Sequence, residues 1–253
     1  MPDSPAFYHA ATLLELGLGV VTWLALLFFV APYGRHGREG WSPTLPARGA
    51  WLLMESPAVW VFLAIYLAGA QRFALVPLLF LLLWQLHYVH RSVIFPLRMR
   101  TSARRMPLLV VACAILFNIL NAYVNARWIS EFGHYETGWL TDPRCVLGVA
   151  LFGLGMWINR DADARLRRLR QPGESDYRVP RGGLFEYVSC PNYLGEILEW
   201  IGWAILTWSL AGFAFAFYTV ANLAPRAAAH HRWYRETFPD YPTRRRVLVP
   251  FVW

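Results

Sequence analysis

The chain has 253 residues, 57% of them apolar and 16% aromatic, and its formal charge of +8 is carried by arginine, because it contains no lysine. That excludes Schiff-base chemistry and leaves every phosphate contact to guanidinium groups, which grip oxyanions bidentately. The arginines fall between apolar blocks and form no contiguous basic domain, so nucleic acid is not an expected partner. Three scattered cysteines, Cys113, Cys145 and Cys190, match neither a disulfide framework nor a metal-ligand spacing.

The apolar residues come in blocks of about 20, long enough to cross the hydrocarbon core of a bilayer. They predict an all-α integral membrane protein, one domain over 1–253, with seven transmembrane helices and no Rossmann fold. The spans are placed at roughly 6–30, 51–69, 73–91, 108–127, 144–160, 192–209 and 211–229. The first block lacks a basic flank and a small-residue cleavage site, so no cleavable signal is expected. No soluble domain or internal repeat stands out. With the N-terminus outside, the inner segments 31–50, 96–107, 160–190 and 226–253 hold 3, 4, 7 and 6 arginines. Excess arginine marks the cytoplasmic side, so N-out, C-in is the expected orientation.

That topology assigns a depth to each polar residue. The second span enters from inside at Trp51, placing Glu55 about 6 Å deeper. The third exits inward through the run His87, Tyr88, His90 and Arg91. The fifth leaves through Asn159, Asp161 and Asp163, the sixth starts at Asn192 and Glu196, and the seventh ends at Asn222, Arg226, His230 and Tyr234. Only Glu15 and the run Asn118, Asn121 and Asn125 are expected elsewhere or deeper. Polar groups converging between helices are the usual form of a ligand site.

The densest stretch is RVPRGGLFEYVSCPNYLGEILEWIGW, residues 178–203. A glycine-broken basic loop leads into a helix that Pro191 suits at its first turn. Asn192, Glu196 and Glu199 then share one face. The arginines of the 160–190 loop suit a ligand with several phosphates, yet neither G-x-G-x-x-G after a strand nor G-x-x-x-x-G-K-[ST] is present. Glu55, among Trp51, Leu52, Leu53 and Met54, is the most distinctive single residue. Removal from water favours its neutral acid, which can donate a hydrogen bond to a ketone oxygen, and Tyr88 could donate a second. His87 and His90, like His230 and His231, lack the further ligands a zinc site needs.

GLFEYVSCPNYLGEILEWIGWAI, followed by Arg226, the pair His230–His231, Tyr234, DYP at 240–242 and VPFVW, resembles the C-terminal region of steroid 5α-reductases, the 3-oxo-5α-steroid 4-dehydrogenases. The likeness extends through GMWINRDADARLRRLRQPGESDYRVPRGG to LHYVHRS, and more weakly to WLLME and YGRHG. The resemblance implies a seven-helix enzyme of the bacterial inner membrane or endoplasmic reticulum. Its cofactor region, about 108–253, would face the cytoplasm, and no obligate protein partner is expected. It implies NADPH-dependent reduction of the C4–C5 double bond of a 3-oxo-Δ4-steroid. Glu55 and Tyr88 would hold the 3-keto oxygen, with Trp51 beside the substrate. Tyr33, Arg91, Asn159, Asp163, Arg170, Tyr177, Arg178, Asn192, Glu196, Arg226, His230 and Tyr234 would contact NADPH. Phe95 stands where the family pattern leads one to expect a cofactor-facing tyrosine, and Arg104 or Arg105 is aligned with a phosphate contact. Related readings are a membrane enone, enoyl or polyprenol reductase. Of different classes are an isoprenylcysteine-type methyltransferase and a transporter, the latter disfavoured because it needs paired repeats.

Overall fold

Prolines punctuate the chain where a helix can spare an N–H. Pro5, Pro143 and Pro191 each sit in the first turn of a helix, and Ser4 and Asp142 accept from backbone N–H groups at two of those starts. The computed structural model describes residues 4–37, 40, 42–99, 105–169 and 177–253. Its helices are α1 Pro5–Phe28, α2 Ala47–Ala68, α3 Leu75–Val89, the single turn α4 Phe95–Leu97, α5 Leu108–Arg127, α6 Pro143–Arg168, α7 Pro191–Thr207 and α8 Leu210–Thr237. The seven long ones fall on the seven predicted blocks. Four segments, Pro5–Phe28, Ala47–Ala68, Leu75–Leu97 and Leu108–Phe132, are long and apolar enough to cross a membrane. In α6 and α8 the charged C-terminal ends dilute the apolar content, and α7 carries Glu196 and Glu199 among its 17 residues.

Two features depart from the expected elements. α2 begins at Ala47, not near residue 51, because β1 Thr44–Pro46 pairs antiparallel with β2 Arg105–Pro107 and each strand ends in a proline that hands the chain to a helix. Glu55 consequently lies two turns into its helix, about 12 Å from the start, deeper than its distance from Trp51 implied. The third block does not end at 91 either. It widens into a turn over His90–Ile94, where the Phe95 N–H reaches back to the His90 carbonyl, and continues through α4. Such a π-type turn re-aims the side chains within it, here Arg91.

α6 and α7 pack closest. Gly148 and Gly155 on α6 face Gly195 and Gly202 on α7, and a Cβ at any of the four would collide with the backbone opposite. Small residues at this spacing let two helix backbones touch. The core beside them is aromatic: Phe62 stacks on Trp84 at 4.3 Å, and Trp84 lies within 5.7 Å of Trp200, Trp203 and Phe215 by ring centroids. Buried indole N–H groups need acceptors. Trp84 donates to the Ala58 carbonyl and Trp203 to Asn125 Oδ1, each at 2.8 Å, so Asn125 is a core acceptor. Outward, Leu14, Val21, Phe28, Trp60, Leu82 and Leu116 are exposed. Such a surface is stable against lipid, not water.

Replacing Gly155 with valine should force α6 and α7 apart. Overpacking of this kind costs about 1–3 kcal/mol, which for a domain of this size lowers Tm by roughly 2–10 °C. Thermal unfolding in detergent checks this, and an unchanged Tm would refute the packing assigned to this seam.

Candidate functional site

A cavity of about 670 Å3 opens among α2, α3, α5, α7 and α8, within the range of about 300–1,000 Å3 usual for small-molecule sites. Each wall is set by local chemistry. On α2, Pro57 cannot donate to the Leu53 carbonyl, and the Ser56 hydroxyl takes its place at 3.1 Å. One residue on, Asn118 of α5 donates to the Met54 carbonyl at 2.6 Å and to Glu55 Oε2 at 3.3 Å. Asn118, expected away from the polar cluster, is therefore part of it, because the β1–β2 ribbon sets α5 against α2. Tyr88 lines the same cavity from α3.

Arg91 is held by two helices at once. Its Nη1 lies 3.4 Å from Asp163 Oδ2 on α6 and its Nη2 3.7 Å from Glu196 Oε2 on α7. Its guanidinium carbon sits 4.5 Å from the Trp51 ring centroid and 4.9 Å from that of Phe95. Phe95 thus has a packing role through its ring face. Asn159 donates to the Asn192 carbonyl at 3.0 Å and to Glu196 Oε2 at 3.4 Å, tying the start of α7 to α6.

The α8 wall is a hydrogen-bonded file. Arg226 donates to the Tyr193 hydroxyl at 2.9 Å, that oxygen lies 3.1 Å from His230 Nε2, and His230 Nδ1 lies 3.2 Å from His36 Nε2. Two neutral assignments satisfy all three contacts, with hydrogen bonds donated from Tyr193 through His230 to His36 or in the reverse direction. The two imidazoles stack at 5.2 Å, 7° from parallel. Burial, with Arg35 and Arg226 nearby, lowers the pKa of His36 below the usual histidine value. Arg35 is caged by the rings of Tyr177, Trp233 and Tyr234 at 4.5–5.1 Å, and its Nη1 is buried without a hydrogen-bond partner among the described residues. Outside the cavity file, burial pushes the Cys190 thiol up to about 12, making it a packing group.

Of the residues singled out in the sequence, Tyr33, Trp51, Glu55, Tyr88, Arg91 and Asp163 line this cavity, as do Tyr177, Asn192, Glu196, Arg226 and His230. Three others do not. Asn159 braces α7 from behind, Tyr234 backs Arg35 through a 3.3 Å hydrogen bond, and Arg178 is exposed. Arg170 and Arg104 lie outside the described residues, whereas Arg105 lines the cavity while its guanidinium bonds to Thr44. Sequence reasoning missed Arg35, His36, Asn118 and Tyr193 as wall residues, and read His87 only as one of a converging polar run. The YGRHG run contained the first two, but only tertiary packing pairs them with α8.

Comparison with known proteins adds an independent line. The model of the family described as 3-oxo-5-alpha-steroid 4-dehydrogenase matches residues 104–253. Over 260 aligned residues spanning the whole of both chains, the sequence is 44% identical to the steroid 5-alpha-reductase DET2 of Gossypium hirsutum. It is 43% identical to the 3-oxo-5-alpha-steroid 4-dehydrogenase 1 of Bos taurus, covering 96% of each chain. With that of Homo sapiens it shares 43% identity over 87% of this chain and 85% of the other.

The depressed His36 pKa has a consequence for stability. Between its folded value and the unfolded value of about 6.5, the unfolded chain binds more protons, so stability falls as pH drops below that unfolded value. In detergent, Tm should decline from about pH 7 to pH 5, and His36→Asn should flatten part of that slope. An identical slope in the variant would refute the neutral, stacked assignment.

Proposed function

Since the chain belongs to the 3-oxo-5-alpha-steroid 4-dehydrogenase family, we propose that it reduces the C4–C5 double bond of a 3-oxo-Δ4-steroid with NADPH in the cavity described above. The family assignment makes it an oxidoreductase acting on CH–CH groups and supports steroid 4-ene reduction in general. The observation that carries the finer reading is the juxtaposition of Glu55 and Tyr88 with an arginine-lined wall in one cavity. The exposed apolar belt and the arginine-rich inner segments support seven spans, N-out and C-in, with the cavity mouth toward the cytoplasm.

The residues present fit a phosphorylated dinucleotide. The buried Nη1 of Arg35, without a hydrogen-bond partner among the described residues, suits an oxyanion. Gly34, on the cavity wall, holds a positive φ with no other atom within 4 Å of where a Cβ would stand, leaving its backbone open to close approach by a ligand. Arg35, Arg226, Asn192, Tyr177 and His230 would hold the cofactor, whose reduced nicotinamide supplies the hydride that adds to C5.

An isolated double bond accepts no hydride, but conjugation to the 3-ketone makes C5 electrophilic and moves charge onto the 3-oxygen. Glu55, aimed by Asn118, would donate to that oxygen as the neutral acid, and Tyr88 would donate a second hydrogen bond. Donors preorganised at developing charge are worth about 3–4 kcal/mol each in a dry site. Arg91 is already committed to Asp163 and Glu196, so it shapes the wall between the two donors and α7. Trp51 covers Arg91 and presents an apolar face to the steroid. A steroid dissolved in the bilayer can enter between helices while the dinucleotide arrives from water.

Glu55→Gln should lower turnover by roughly tenfold or more and leave NADPH affinity nearly unchanged. The assay is nicotinamide absorbance with purified protein and a 3-oxo-Δ4-steroid, supplied in parallel with NADPH or NADH. Normal turnover by the variant would remove the acid role from Glu55, and inactivity of the wild type with either cofactor would remove the reading altogether.

A further inference from the structure

The HYVHR run and the Glu199 turn of α7 leave one buried contact that hydride transfer does not use. His87 Nδ1 lies 2.8 Å from Glu199 Oε1, with the two residues 5% and 1% exposed. They are 112 positions apart in the chain, and the bond joins α3 to α7. Glu199 Oε2 has no hydrogen-bond partner among the described residues. A carboxylate that far from water must be balanced by a cation or hold a proton. Arg91 does not serve, because it is engaged by Asp163 and Glu196. Arg160, the remaining nearby cation, hydrogen-bonds the Leu86 carbonyl.

The imidazole is set for the task geometrically. It stands edge-on to Trp200 at 4.6 Å and to Tyr88 at 4.9 Å, ring to ring, which fixes its plane. It lines the cavity, and its Nε2 makes no hydrogen bond among the described residues. Charged or titratable groups face the pair from each element around it: Glu55 on α2, Tyr88 on α3, His90 and Arg91 on the turn that follows it, Arg160 on α6 and Glu196 on α7. From α8 the neighbour of Trp200 is the apolar Phe215.

We propose that Glu199 and His87 share one stored proton and return it to the Glu55–Tyr88 donor site after each reduction. The inference rests on the reading given above. Hydride addition forms the C5–H bond, and the C4=C5 electron pair shifts to the 3-oxygen. A proton then adds at C4, reached from Glu55 by way of water, as the C3 carbonyl reforms. His87 Nε2–H restores the proton to Glu55, and the pair regains one from the cytoplasm. One hydride from the nicotinamide and one proton are consumed per double bond. His87 and Glu199 act through Glu55 and are positioning residues in that sense.

The test uses full-length protein in lipid nanodiscs, with His87→Gln and Glu199→Gln made separately. Each should lower kcat by roughly tenfold or more while the steroid KM and the NADPH Kd change by less than about threefold. Glu199→Gln should also move the alkaline fall of kcat to lower pH, since it removes the charge that retains the proton. In ligand-free protein, infrared titration should show a carboxyl–imidazole signal that both variants lose. Variants with kcat and pH profile within about twofold of wild type would overturn the proposal. Should neither variant bind NADPH, the wild type decides: absence of both an alkaline decline and a solvent deuterium effect on kcat overturns it. If the wild type reduces no 3-oxo-Δ4-steroid, the preceding reading fails, and the infrared titration still tests the pair by itself.

Discussion

A guanidinium inside a bundle of apolar helices must have carboxylates, hydrogen-bond acceptors or aromatic faces brought to it. Arg91 imposes that condition here. It draws Asp163 from α6 and Glu196 from α7 toward α3, and Trp51 of α2 covers its open face. The glycine seam between α6 and α7 makes the arrangement possible, because only backbone-to-backbone contact lets Asn159 reach the Asn192 carbonyl and Glu196 together. Once these helices are fixed, Glu55, Tyr88 and Arg226 of α8 line a single cavity.

The same economy explains how so many polar residues are tolerated. Most do two jobs. Asn118 satisfies the Met54 carbonyl while aiming Glu55. Tyr193 accepts from Arg226 and shares a hydrogen bond with the stacked histidines. Arg35 is solvated by aromatic faces in place of water, and its Nη1 has no hydrogen-bond partner among the described residues. A buried network of this kind is stable only when its members are satisfied together.

The helices were legible in the sequence because blocks of apolar residues ended by proline and arginine have one inexpensive structure in lipid. The convergence of polar residues on one cavity followed from the alternation of helices and a fixed rise per residue. What escaped notice depended on contacts across the fold. The two-stranded ribbon that starts α2 early has only three residues per strand, too short for any alternation to register. The wide turn at His90–Ile94 leaves no compositional trace, yet it decides where Arg91 points. Asn159 and Tyr234 carry the right residue types for the cavity but stand behind its wall, because spacing along a helix says which residues share a face and not how far that face is from a ligand. His87 and Glu199 were each visible, and only packing makes them a pair.

The most direct measurement of the central claim is an experimental structure of the protein with an oxidised dinucleotide and a 3-oxo-Δ4-steroid bound together. The account predicts the 3-keto oxygen within hydrogen-bonding distance of both Glu55 and Tyr88, C5 facing the nicotinamide, and a phosphate against Arg35. A steroid whose ketone lay away from Glu55, or a dinucleotide bound outside the wall formed by Arg226 and Asn192, would contradict it.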